Sequence, residues 1–297
     1  MPDIPISPFQ PQQVVGGEAG PLPFDQFTWH LLAQGDSWFS VGSLKPEAPT
    51  TNLVNELVLS KRAAVVNCAF PGAVLHHMTD AVRERNFLRL LGGREAAPWH
   101  AILLSGGGND LIDAIGVAPD AQRRVRLLLR SDERRADPAP ADYVCEEGWA
   151  TFTEHLSAVF DLMLQARHRS ILNRRTPLFL HTYAQLTPRD AGAGIGSGPW
   201  LQPALIRYGV PSADWPHLAD EFIDRLAALL KQLVDLANAA DPSAPVVLID
   251  TEVGVLDKSD PQSTGSSGDF VNEIHPTRGG YQKLARVWRT ALEPLLP

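Results

Sequence analysis

The residues best suited to carry chemistry are a serine and a histidine set far apart in the chain: Ser37 in the run LLAQGDSWF and His275 in NEIHP. A serine hydroxyl becomes a nucleophile when a neutral imidazole within hydrogen-bond reach takes its proton, and the oxyanion that follows needs donors fixed in advance. Ser37 follows an apolar run with strand character. A serine at the carboxyl end of a strand exposes its Oγ in the crevice there, and the preceding Gly35 allows a sharp turn. Two further apolar runs end in the same way: AAVVN leads to Asn67 and on to Gly72, and AILLSGGGND leads to Gly107, Asn109 and Asp110. Each residue also has a structural reading. Ser37 fits a helix N-cap or a turn, Gly72 a turn after Pro71, Asn109 a cap, and His275 the flank of a last helix with Pro276 near its first turn.

Other chemistries find less to work with. The glycines at 192, 194, 196 and 198 would need a further glycine at Ser197 to make a dinucleotide fingerprint, and no strand leads into them. No Gly-Lys followed by Ser or Thr exists for a phosphate-binding loop, and the GxSxG elbow is absent. Of the nine histidines, His76 and His77 are adjacent, but helix neighbours point about 100° apart and there is no HExxH, so no metal is expected. Cys68 and Cys145 show neither zinc spacing nor a disulfide framework and read as free buried thiols.

The elements that must position these residues follow from periodicity. Short apolar or β-branched runs at 28–33, 63–67, 101–105, 177–182 and 245–250 predict five buried strands. Between and after them, apolar residues recur at three- and four-residue steps: Trp149, Phe152, Leu156, Val159, Phe160, Met163 and Leu164; Phe222, Leu226, Leu229, Leu233 and Leu236; Tyr281, Leu284, Val287, Trp288 and Leu292. Strands separated by helices predict a mostly parallel sheet covered on both faces. Residues 1–24, rich in Pro, Gln and Gly, read as an extended arm before one domain spanning 25–297. Insertions are expected near 116–143, 183–215 and 251–272. The charged run RSDERRADPAPAD in the first reads as a solvated surface helix entering a Pro-rich loop, and the other two follow strand ends and border a possible substrate site.

Composition bounds the rest. The chain has 297 residues, 44% apolar and 20% charged, which fits a globular protein. Its 26 basic against 34 acidic residues give a formal charge of −8, a poor footprint for nucleic acid. No apolar run approaches the roughly 18 residues that would cross a bilayer. The start, MPDIPISPFQPQQ, has neither a basic nor an apolar signal region, so a cytoplasmic location is expected.

In this order, GDSW around Ser37, the NxxxxG pattern of Asn67 and Gly72, GGND from Gly107 to Asp110 and HP at His275 resemble the SGNH (GDSL-like) hydrolase family, over the chain from residue 28 to its end. The resemblance implies a flavodoxin-like three-layer α/β/α sandwich with a mostly parallel five-stranded sheet. It implies Ser37 as nucleophile, His275 as base, and an oxyanion hole of the Ser37 and Gly72 backbone N–H groups with the Asn109 amide. Trp38 is a candidate wall of the substrate pocket and equally a core residue. The implied reaction is cleavage of a small carboxylic ester through an acyl-enzyme, without cofactor, by an esterase, acylhydrolase or O-deacetylase. One position departs from the family: Asn272 stands where an Asp three residues before the histidine is usual. Asn272 itself or a backbone carbonyl orients the ring, or Asp269 or Glu273 supplies the acid, or the chain is a weak or inactive carbohydrate- or ligand-binding protein on the same fold. In a serine protease the corresponding loss of charge costs about 10⁴ in turnover, largely through the wrong tautomer.

Overall fold

A computed structural model of the chain describes residues 3–14, 24–40, 51–80, 82, 85–194 and 197–297. Six strands form the central sheet: β1 (Ser7–Phe9), β2 (Trp29–Gly35), β3 (Ala63–Asn67), β4 (Ala101–Ser105), β5 (Leu178–His181) and β6 (Val246–Ile249). Their order is β1-β3-β2-β4-β5-β6 and every pairing is parallel. Without β1 this is the doubly wound order 2-1-3-4-5. The sheet thus has six strands rather than five, and the extra edge strand comes from the arm. Ser7–Phe9 pairs with Ala64–Val66, while Ile4–Pro5 pairs antiparallel with Val58–Leu59. Prolines at 5 and 8 are compatible with such edge positions, where a missing N–H costs no ladder bond. A 3₁₀ turn follows at Pro11–Gln13, and residues 1–2 and 15–23 of the arm lie outside the described residues.

Every residue of β3 and of β4 is buried, so both faces of the sheet are covered, as a parallel sheet requires. The covering helices are α1 (Leu53–Glu56), α2 (Leu75–Met78), α3 (Arg85–Gly92), α4 (Gly108–Ile115), α5 (Glu146–Arg169), α6 (Gln202–Arg207), α7 (Trp215–Ala240) and α8 (Arg278–Leu292). The expected stripes face inward: Phe152, Leu156, Val159, Phe160 and Met163 on α5, Phe222, Leu226, Leu229 and Leu233 on α7, and Tyr281, Leu284, Trp288 and Leu292 on α8. Leu236 is an exception, 59% exposed near the solvent end of α7. Helix α8 is N-capped by Thr277, whose side chain accepts the Gly280 N–H, so Pro276 precedes the cap.

The charged run in 116–143 forms no surface helix. It makes single 3₁₀ turns at Ser131–Glu133 and Pro140–Tyr143. Its anchor is Arg126, whose buried guanidinium grips Glu133 in a bidentate pair at 2.8 and 2.9 Å and draws that carboxyl down to about 2. Cys68 and Cys145 are both buried, and neither is in a disulfide. Among the described residues no helix is long and apolar enough to cross a membrane.

Candidate active site

The first strand end explains the geometry of Ser37. Gly35 closes β2 directly against Ser105 at the end of β4, where an added Cβ would meet the Ser105 Cβ at 2.8 Å, so the glycine serves close strand contact. The chain then turns tightly on Asp36. Its carbonyl accepts the N–H groups of Phe39 and Ser40 at 3.2 and 3.1 Å, and its Oδ1 accepts that of Trp38 at 2.9 Å. Ser37 rides in this turn with its Oγ 2.8 Å from His275 Nε2.

The other half of the pair is built by Asn272. Its Oδ1 accepts the backbone N–H groups of Ile274 at 3.1 Å and His275 at 2.8 Å, and it lies 3.1 Å from His275 Nδ1. Two N–H donors require an oxygen at that position, so the amide cannot present its NH₂ to the ring. The imidazole proton therefore sits on Nδ1, and Nε2 offers its lone pair to the serine hydroxyl. The tautomer hazard of an asparagine in this place is removed by the backbone, although the charge of an aspartate is not supplied. Burial alone pushes His275 down to about 4, so the ring is neutral near pH 7.

The two alternative acids are engaged elsewhere. Asp269 accepts the Asp257 N–H at 2.7 Å and pairs with Lys283 at 2.5 Å. Glu273 is buried and caps α6, accepting from the backbone N–H groups of Trp200, Leu201 and Gln202 as well as Arg189. Neither carboxylate is hydrogen-bonded to His275.

Ser37, Trp38 and Asn109 line one narrow cavity of about 40 Å³, walled by Ile112, Leu205, Ala219 and Phe222 among other apolar side chains. Asn109 stands in the first turn of α4, entered through Gly107 at φ 104°, a left-handed conformation that favours glycine. Its Nδ2 donates to the Ala73 carbonyl at 3.0 Å, which leaves the second amide hydrogen for another acceptor. Gly72 occupies an exposed turn at φ 77° and does not line the cavity. Asn67 is structural, bridging Phe39 O and Ala69 N. Trp38 lines the cavity, its Nε1 donates to Ile274 O at 3.2 Å and its ring stacks on His181. Of the Gly-rich run, residues 195–196 lie outside the described residues.

Behind the serine lies a buried polar chain that periodicity alone does not reveal. Tyr183 donates to Asp36 Oδ2 at 2.5 Å, and Ser105 Oγ lies 2.9 Å from both Asp36 Oδ1 and His181 Nε2. His181 Nδ1 meets the Thr182 carbonyl at 2.8 Å and so carries a proton. Burial raises Asp36 to about 6 and lowers His181 to about 4, so a proton shared along this chain rests on Asp36 rather than on the ring. His181 and Ser105 both close strands, and that shared position at the carboxyl edge is the signal by which they are legible. Arg189, also missed, is fully buried, and among the described residues its guanidinium hydrogen-bonds to carbonyls alone, Asn272 O at 2.7 Å being one.

Solved structures similar to this chain include Est24, a carbohydrate acetylesterase from Sinorhizobium meliloti, at 13% identity and TM-score 0.47 over 90% of this chain and 100% of that one. A catalytic mutant of Axe2, an acetylxylan esterase from Geobacillus stearothermophilus, aligns at 13% identity and TM-score 0.46 over 89% and 94%. Phospholipase A1 from Streptomyces albidoflavus aligns at 15% identity and TM-score 0.43 over 89% and 99%. No protein-family model matches the chain, and no curated protein does. Function is therefore read from the crevice itself.

Proposed function

We propose that this protein is a serine ester hydrolase of the SGNH type. Ser37 attacks the ester carbonyl, His275 Nε2 takes the hydroxyl proton and passes it to the departing alcohol, and water then cleaves the acyl-enzyme by the same route. The observation that carries this reading is the aligned set Ser37 Oγ, His275 Nε2, His275 Nδ1 and Asn272 Oδ1, spaced at 2.8 and 3.1 Å. Asn109 is assigned to the oxyanion hole with the Ser37 and Gly72 N–H groups, and its place beside Ser37 in the cavity lining supports that role. Gly72 has the weaker support of the three, since it stands outside that lining.

The apolar lining supports an acyl group slightly longer than acetyl, and the volume of about 40 Å³, room for about three water-sized spheres, limits it to a few carbons. Leu205, Ala219 and Phe222 offer an alkyl chain burial worth about 0.8 kcal/mol per methylene, roughly fourfold in specificity for each. A series of p-nitrophenyl esters from acetyl through octanoyl tests both parts. Hydrolysis that is lost in Ser37→Ala and rises from acetyl to butanoyl, then falls for longer chains, is expected. Turnover unchanged in Ser37→Ala would overturn the mechanism, whereas Ser37-dependent turnover that is greatest on acetyl would overturn only the acyl preference.

A further inference from the structure

On the far side of α4 from Ser37's immediate surroundings, three helices bring together side chains that no step above uses. His76 on α2, Asp110 on α4 and His155 on α5 each present a ligand atom, and these atoms lie within 4.8 Å of one another. Zn–N and Zn–O bonds of about 2.0–2.2 Å place the ligands of one ion within about 4 Å of each other, so small side-chain rotations close the set. We propose that His76, Asp110 and His155 form a site for a borderline divalent transition metal such as Zn²⁺.

The donor set favours that class. Two imidazoles and one carboxylate suit zinc and its neighbours, whereas Mg²⁺ and Ca²⁺ take oxygen ligands. The carboxylate is already oriented: Asp110 Oδ2 accepts the Leu75 N–H at 2.9 Å, the kind of outer contact that fixes a metal ligand. Asp110 is 7% exposed and has no Lys or Arg ion pair among the described residues, so burial pushes its carboxyl up. A bound cation would offset that cost. The two histidines are exposed and reach the carboxylate from a concavity of about 370 Å³, which gives an ion its entry path and leaves room for water ligands. His77 and Asp113 line the same concavity. The rings of His76 and His77, expected to point apart, have centroids 4.0 Å from one another, and the three-ligand set arises because Asp110 and His155 approach His76 from other helices. Asp110 follows Asn109, so an ion here would clamp the first turn of α4 to α2 and α5.

The test uses untagged full-length protein stripped with a chelator and dialysed at pH 7.5 against Zn²⁺, with bound metal counted by mass spectrometry. Wild type is expected to retain one Zn²⁺ per chain and to melt several degrees higher with it. His155→Ala and His76→Ala, which change exposed helix positions, are expected to lose at least tenfold in affinity and to show no shift in melting, while excess Mg²⁺ does not compete. Failure of wild type to hold one equivalent, or equal retention by both variants, would overturn the site.

Discussion

Replacing Asn272 by Asp isolates what the amide lacks. Its Oδ1 already fixes the productive tautomer of His275, so the substitution changes charge and leaves the proton's address alone. Burial lowers His275 from 6.5 to about 4, and at 1.36 kcal/mol per unit the imidazolium formed in the transition state is disfavoured by about 3 kcal/mol relative to water. A carboxylate about 4 Å from the ring charge returns about 4 kcal/mol at an effective dielectric of about 20. Part of that is lost because the second carboxylate oxygen would take the place of Asn272 Nδ2, which is buried with no hydrogen-bond partner. The neighbouring Arg189 cation limits the loss. A net gain of about 1–3 kcal/mol corresponds to a rise in kcat of about 10–10². The pH profile gives an independent sign. His275 acts as base when neutral, so activity falls with acid through its pKa, near 4 in wild type. An added anion raises that pKa, and Asn272→Asp must therefore lose activity at higher pH than wild type while exceeding it above pH 7. Initial rates on a p-nitrophenyl ester from pH 4 to 9, with circular dichroism on both proteins, check this. A folded variant with an unmoved acid limb, or with turnover more than tenfold below wild type at pH 8, would refute the charge argument.

Four further outcomes follow from the same geometry. Asn109→Ala should lower kcat by about 10²–10³ with little change in KM, measured on the same ester. Ala219→Leu, which thickens one wall of the cavity beside Ser37, should cut kcat/KM on the butanoyl ester about tenfold and spare the acetyl ester. Tyr183→Phe removes the donor to Asp36 Oδ2 and should cost about 1–3 kcal/mol in denaturant unfolding, because a buried acceptor is left unmade. His275→Ala should abolish turnover while leaving circular dichroism unchanged.

Much of this framework was legible in the sequence because strong local signals carried it. The runs AAVVN and AILLS are continuous apolar strands, and their ends deliver Asn67 and Asn109 to the crevice edge where a parallel sheet collects its chemistry. The departures come from tertiary context. Ser7–Phe9 has no strand periodicity of its own and becomes a strand by pairing with the edge of β3. Gly35 is demanded by contact with Ser105, a residue 70 positions away. The orientation of the Asn272 amide depends on two backbone N–H groups whose direction no composition reveals. Asp269 and Glu273, near His275 in sequence, turn to Lys283 and to the start of α6 because those partners satisfy them. The cluster of His76, Asp110 and His155 escaped a spacing rule written for ligands on one helix.

Labelling with a fluorophosphonate probe reads the activation of Ser37 by His275 without any choice of substrate. The hydroxyl of a serine activated in this way attacks phosphorus, gives its proton to His275 and expels fluoride, so the phosphonyl group stays bound to the serine oxygen. Folded wild-type protein at pH 7.5 should gain the probe mass less HF once per chain, mapped by peptide sequencing to Ser37, with labelling slowed by about 10³-fold or more in His275→Ala and absent in Ser37→Ala. Folded wild type that takes up no probe, or equal uptake in Ser37→Ala, would contradict that activation.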